Sequence, residues 1–201
     1  MNAPRSGLRP DLARIAALIT PGSSVLDLGC GDGQLLSHLM ASGCRGQGVE
    51  RDADSLLAAI SAGVPVLDLD LDAQLDQFAD HSFDVVVLSR TLQAVLHPVA
   101  VLSQMRRIGS RLIVSMPNFA YWRHRLTLLR GSMPQSSDLP FEWFDTPNLH
   151  HATLGSLEAL FSQLGLACDR RFALSPSGRL VEVGAKLRAS SAIYVLRSVN
   201  L

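Results

Sequence analysis

The run Val25-Leu26-Asp27-Leu28-Gly29-Cys30-Gly31-Asp32-Gly33 constrains this chain more than any other stretch. Its apolar start reads as a short buried strand. The three glycines then let the backbone turn sharply and approach a ligand closely. Leu35, Leu36, Leu39 and Met40 follow at helical spacing, so strand, turn and helix open a βαβ unit. In an open α/β sheet, ligands bind beyond the carboxyl ends of the strands, at a turn of this kind. The dinucleotide fingerprint GxGxxG needs a glycine at position 34, where this chain has Gln34. The spacing is GxGxG, which sets the NAD-type reading aside.

The same alternation continues along the chain. Asp11 is placed to cap a first helix whose Leu12, Ile15, Ala16 and Ile19 share a face, ended by Pro21-Gly22. Strands are expected at 46–50, 64–67, 83–88 and 111–115. Between them, Leu56, Leu57 and Ile60 mark a helix closed by Gly63, and Val101, Leu102, Met105 and Ile108 mark one running from Pro98 to Gly109. Leu157, Leu160, Phe161 and Leu164 form a last helical face ending at Gly165. Two strands follow, at 168–174 and 192–196, with no helix expected between them, so they are predicted to pair antiparallel at the sheet edge. The expected fold class is α/β: a doubly wound, mostly parallel sheet with an antiparallel C-terminal edge strand. Residues 1–201 are read as a single domain.

Composition narrows the function. Basic and acidic residues balance at 18 each, for a formal net charge of +0, which argues against nucleic acid or an anionic membrane as partner. The cysteines, Cys30, Cys44 and Cys168, are scattered and contain no CxxC pair, so neither a disulfide framework nor a zinc site is expected and a reducing cytoplasm fits best. Residues 1–10 lack the apolar core of a signal peptide. No GxSxG elbow, P-loop or HExxH motif occurs.

Further candidates sit at strand ends. Glu50 closes the second strand, where a carboxylate accepts hydrogen bonds from both hydroxyls of a ribose; Arg51 follows it. Asp68-Leu69-Asp70-Leu71-Asp72 follows the third strand. An EF-hand would need Gly and Glu where Ala73 and Ala79 stand, which excludes calcium. The fourth strand is introduced by Ser82-Phe83-Asp84 and ends near Ser89, beside the glycine turn.

These motifs resemble the class I methyltransferase superfamily. Longer strings resemble one family within it, the MetW family of methionine biosynthesis: Leu88-Ser89-Arg90-Thr91-Leu92-Gln93-Ala94-Val95, Ser115-Met116-Pro117-Asn118-Phe119, Trp122-Arg123-His124-Arg125-Leu126, and residues 140–150, Pro-Phe-Glu-Trp-Phe-Asp-Thr-Pro-Asn-Leu-His. The resemblance implies S-adenosylmethionine or S-adenosylhomocysteine as cofactor, bound by Asp27, Gly29, Cys30, Gly31, Glu50, Arg51, Asp70, Leu71 and Ser89. Asp70, with Asp68 second, is expected to accept the adenine amino hydrogen. Asp32 is tolerable beside the cationic methionyl part. The resemblance also implies homoserine O-acyltransferase as partner, with this chain as its regulatory subunit. The alternative is a small-molecule methyltransferase, which needs positioning more than a motif of its own.

Residues 119–151 hold six of the 11 aromatics and a cluster of Arg and His. Trp122, Arg123, Arg125, Trp143 and His150 are the candidate contacts. Aromatic and Arg-rich surfaces typify interface hot spots, so a partner surface leads. A lid over a small acidic substrate comes second, and extra core third.

Overall fold

In the computed structural model, which describes residues 8–199, β1 (Ser24–Leu28) lies between β2 (Arg45–Val49) and β4 (Phe83–Ser89), parallel to both. β3 (Val66–Leu67) lies outside β2, and β5 (Gly109–Pro117) continues the parallel set beyond β4. β7 (Ser191–Ser198) then runs antiparallel between β5 and β6 (Leu166–Leu174), the outermost strand. Among the described residues the order is β3-β2-β1-β4-β5-β7-β6. This is the fold class expected from the sequence, with the C-terminal antiparallel pair at the edge.

The core follows the period-two alternation of strands buried on both faces. Val25, Val85, Val87 and Ile113 point to one side, packed with Leu12 and Ile15 of α1 (Pro10–Ala16) and with Leu35, Leu36 and Leu39 of α2 (Gln34–Ala41). Leu26, Leu28, Val86, Leu88, Leu112 and Val114 point to the other. There they meet Leu102 and Met105 of α4 (Pro98–Ile108) and Leu157 and Phe161 of α6 (Leu154–Gln163). α3 (Ala53–Ser61) is capped by Asp52, which accepts from Ser55 N at 2.9 Å. α5 (Trp122–Leu129) follows β5.

The structure corrects three details. Asp11 does not cap α1. The helix begins with Pro10, whose missing N–H needs no partner at this position, and Asp11 is buried in the first turn between two arginines. The third strand shrinks to Val66–Leu67, at the exposed end of the sheet. A four-residue helix, α7 (Ala185–Arg188), does lie between β6 and β7, too short to show a periodic face. The signal-peptide reading rests largely on residues 1–7, outside the described residues.

Candidate functional site

The β1–α2 turn is built from backbone, as a GxGxG spacing requires. Gly29, Gly31 and Gly33 all have positive φ, at 72°, 57° and 76°. A Cβ on Gly29 would also lie 2.5 Å from Thr91 Oγ1, whereas one on Gly31 would meet open space. Gly29 and Cys30 donate their N–H groups to Val49 O at 2.8 and 3.1 Å, tying the turn to the end of β2.

Glu50 completes that tie. Its Oε2 accepts from Gly31 N at 2.8 Å, and its Oε1 accepts from Arg51 N and Asp52 N at 2.8 and 2.9 Å. These bonds fix the carboxylate at the lip of the turn and leave a lone pair on Oε2 for a ligand hydroxyl.

Two clefts meet here, sharing Gly29, Arg90 and Thr91 as walls. The first, about 400 Å³, is bordered by Asp27, Gly29, Cys30, Gly31 and Ser89. The second, about 310 Å³, is bordered by Glu50, Arg51, Asp70 and Leu71. The structure thus brings all nine residues read as cofactor contacts to one site, of a size typical for small ligands. Asp68 is exposed and lines neither cleft. Asp70 accepts from Arg51 Nη1 at 2.8 Å and from Asp72 N at 2.9 Å.

Electrostatics single out Asp27. It is 3% exposed, and its Oδ1 has no hydrogen-bond partner. Burial first, and the neighbouring Glu50 charge second, push its carboxyl up to about 7, against a smaller opposing pull from Arg9. An unpartnered buried carboxyl on the wall of a cleft is poised to receive a cation. Cys30 is different: burial and the surrounding carboxylates push its thiol up to about 12, so it stays protonated and is no nucleophile.

Sequence reasoning missed two arginines in the cleft wall, Arg9 and Arg90. Arg90 has φ 56°, outside the usual range for a side-chain-bearing residue. Its Nε reaches Asp11 Oδ2 at 3.0 Å, and its Nη2 reaches Asp138 Oδ1 at 2.7 Å. It joins α1, the end of β4 and the segment after β5. The signal available was its place directly after Ser89, at a strand end beside the glycine turn.

The 119–151 segment divides. Tyr121, His124 and Leu139 are buried, and burial holds the His124 imidazole below its usual range. Trp122 and Trp143 are exposed, Trp143 by 69%, and the Arg123 guanidinium sits 5.3 Å from the Trp122 ring centroid. Arg125 is exposed and donates from Nε to Ala120 O at 2.8 Å. Neither Arg123 nor Arg125 lines the two clefts, which counts against a lid offering arginines to an acidic substrate. His150, the remaining candidate contact, is half-buried. Its backbone N donates to Gln93 O at 3.0 Å, and its Nε2 is buried. Among the described residues, no helix is long and apolar enough to cross a membrane.

Comparison with known proteins bears on the fold and the family. The chain is 39% identical over 175 residues to the bifunctional methionine biosynthesis protein MetXA/MetW of Rhodopirellula baltica. The match covers 81% of this chain and 28% of that relative, so the chain spans little over a quarter of its length. In structure it is similar to an S-adenosylmethionine-dependent methyltransferase from Mesorhizobium loti (TM-score 0.71, 18% identity, 94% of this chain and 98% of that one). It is also similar to magnesium protoporphyrin IX methyltransferase from Synechocystis with bound S-adenosylhomocysteine (TM-score 0.69, 17% identity, 94% and 82%). These likenesses establish the S-adenosylmethionine-dependent methyltransferase fold. The model of the family described as methionine biosynthesis protein MetW matches residues 9–196, and the chain belongs to the MetW family.

Proposed function

We propose that the chain binds S-adenosylmethionine across the two joined clefts and acts as partner and regulatory subunit of homoserine O-acyltransferase. The cofactor's methionyl end lies over Asp27, Gly29 and Gly31, and its nucleoside end over Glu50, Asp70 and Leu71. Three features support this fit. Gly31 leaves room where a Cβ would stand, Asp27 Oδ1 lacks a partner, and carboxylates from Asp27, Asp32, Glu50 and Asp70 border the clefts. A sulfonium and an ammonium suit such a field, and Arg9 and Arg90 are at hand for the methionyl carboxylate. When bound, the cofactor carries a transferable methyl group. The chain's own residues orient the ribose through Glu50 and hold charge at Asp27.

The partner role rests on one observation above the others: the relative named as bifunctional MetXA/MetW, of which this chain matches 28%. A second function carried in the remaining length of one polypeptide is what a stable two-protein assembly looks like once fused. The 119–151 segment, set on the single domain read from the sequence, supplies the docking surface through exposed Trp122, Arg123 and Trp143. End-product sensing gives the arrangement its logic, since S-adenosylmethionine is made from methionine.

The test is co-purification of homoserine O-acyltransferase with this chain, followed by acyl transfer measured with and without S-adenosylmethionine. The expected result is a stable complex whose activity changes with the cofactor. Absence of a complex, with release of S-adenosylhomocysteine on a small acceptor, would instead establish the methyltransferase alternative.

A further inference from the structure

Native proteins leave few buried polar atoms unpaired, and each such atom calls for a reason. Among the described residues there are five, of which Asp27 Oδ1 belongs to the cofactor clefts. The other four, on Gln93, His124, Asp138 and His150, lie in or against the 119–151 segment. Two of them share a cavity. Gln93 and His150 line a chamber of about 10 Å³, closed in by Met116, Pro117 and Ala152. Phe119, Leu139 and His151 also line it, and the same three residues wall a neighbouring cavity of about 150 Å³. Phe141, Trp143 and Met133 help form the outer walls of that cavity.

The chemistry of the inner chamber is specific. The Gln93 amide nitrogen donates to Arg90 O, so the amide cannot be turned around and Oε1 is the free acceptor. Gln93 is 7% exposed. His150 lines the same chamber with its Nε2 also unpartnered, and that nitrogen serves as donor in the tautomer that carries its proton there. The chamber has room for about one heavy atom. A single hydroxyl meets both needs, donating to Gln93 Oε1 and accepting from His150. The outer cavity has an apolar wall of Phe119, Leu139 and Phe141 and a polar side that includes Gln135, Thr146 and Asn148; neither chamber is lined by Lys or Arg, and Glu142 is the one carboxylate. Glu142 sets a negative charge beside any anion that enters.

We propose that the paired chambers beneath the 119–151 segment form a second small-molecule site, separate from the cofactor clefts, for a compact alcohol. Its hydroxyl lodges between Gln93 and His150, and its apolar body lies against Phe119, Leu139 and Phe141. Occupancy is felt at the cofactor site, because the Gln93 amide also holds the carbonyl of Arg90, which walls both clefts. The site depends on neither S-adenosylmethionine binding nor the acyltransferase, so its failure would leave both readings standing.

The experiment titrates the full chain with 3-methylbutan-1-ol and, separately, with 3-methylbutanoate, following the two tryptophan indole N–H signals by ¹H–¹⁵N NMR. The alcohol is expected to shift Trp143 saturably in the millimolar range, leaving Trp122 unmoved. The carboxylate is expected to bind about tenfold more weakly or worse, because its charge would meet that of Glu142. Gln93→Leu, and independently His150→Phe, should each weaken the alcohol about fivefold or more. The second variant guards against misfolding of the first, which loses the tie to Arg90. Equal response to both probes would mean general apolar adsorption, and no response would mean that the inner chamber holds only a structural water. Either result, or wild-type affinity in both variants, overturns the proposal.

Discussion

The glycine turn and the 119–151 segment stand on the same sheet and are built on opposite plans. The turn is made of backbone: glycines at positive φ and N–H groups donated to Val49 and Glu50. The segment is made of side chains: Phe141, Trp143 and Phe144 are exposed, and Tyr121, His124 and Leu139 are buried. A backbone site fixes a shape, so it tolerates little change. A side-chain surface is defined by which groups project from it, so the same fold can present it to different partners. Arg90 is the physical joint between the two, walling both clefts while pairing with Asp138.

Substitution should expose that contrast. The largest effect is expected for Gly29→Val, which combines a φ of 72° with a side chain driven into Thr91. Strain and overpacking together should cost about 2–5 kcal/mol, read by urea denaturation, with cofactor binding lost. On the other region, Trp143→Ala should weaken association with homoserine O-acyltransferase by about 30- to 1,000-fold while S-adenosylmethionine affinity stays at wild type. Surface plasmon resonance against the immobilised enzyme, paired with calorimetry, checks both halves. Loss of cofactor binding in Trp143→Ala would erase the division of labour.

Glu50→Ala comes next, with S-adenosylmethionine binding expected to fall about 10- to 100-fold, since hydrogen bonds to a charged group are worth about 1.5–3 kcal/mol. Unchanged affinity would remove Glu50 from the site. The smallest effect is expected for Phe144→Ala, which is 71% exposed: thermal stability should move by no more than about 0.5 kcal/mol. A large destabilisation would return the segment to the core.

Much of this plan was legible in the sequence, for physical reasons. β1, the glycine turn and β4 announce themselves because buried strands are continuous apolar runs and because a positive φ calls for glycine. α4 and α6 show because their buried residues recur at helical spacing. The nine residues gathered at the clefts were readable from the resemblance, with the glycine turn, Glu50 and Asp70 also marked by their places at strand ends. What escaped was tertiary. β3 keeps two residues because it sits at the margin of the sheet, and α7 is too short for periodicity. Arg9 and Arg90 reach the cleft through ion pairs with Asp11 and Asp138, partners distant from Arg90 in sequence. His150 is held by Gln93, whose backbone carbonyl accepts its N–H, a tie that no local pattern reveals.

Asp27 gives the most direct test of the central claim, that the clefts hold S-adenosylmethionine. Its carboxyl is raised from 3.8 to about 7, so the empty folded state keeps a proton that the unfolded chain has already lost between those values. Stability from this group is therefore full below about pH 4 and declines as pH rises towards 7. A bound cation reverses the preference by favouring the carboxylate, so binding must expel the proton. Titration calorimetry at pH 7, in buffers of different ionisation enthalpy, reads that release directly. The account predicts one site per chain for S-adenosylmethionine, proton release on binding, tighter binding as pH rises through about 7, and loss of the release in Asp27→Asn. Binding of NAD in its place, or S-adenosylmethionine binding with no proton released from the wild type, would contradict it.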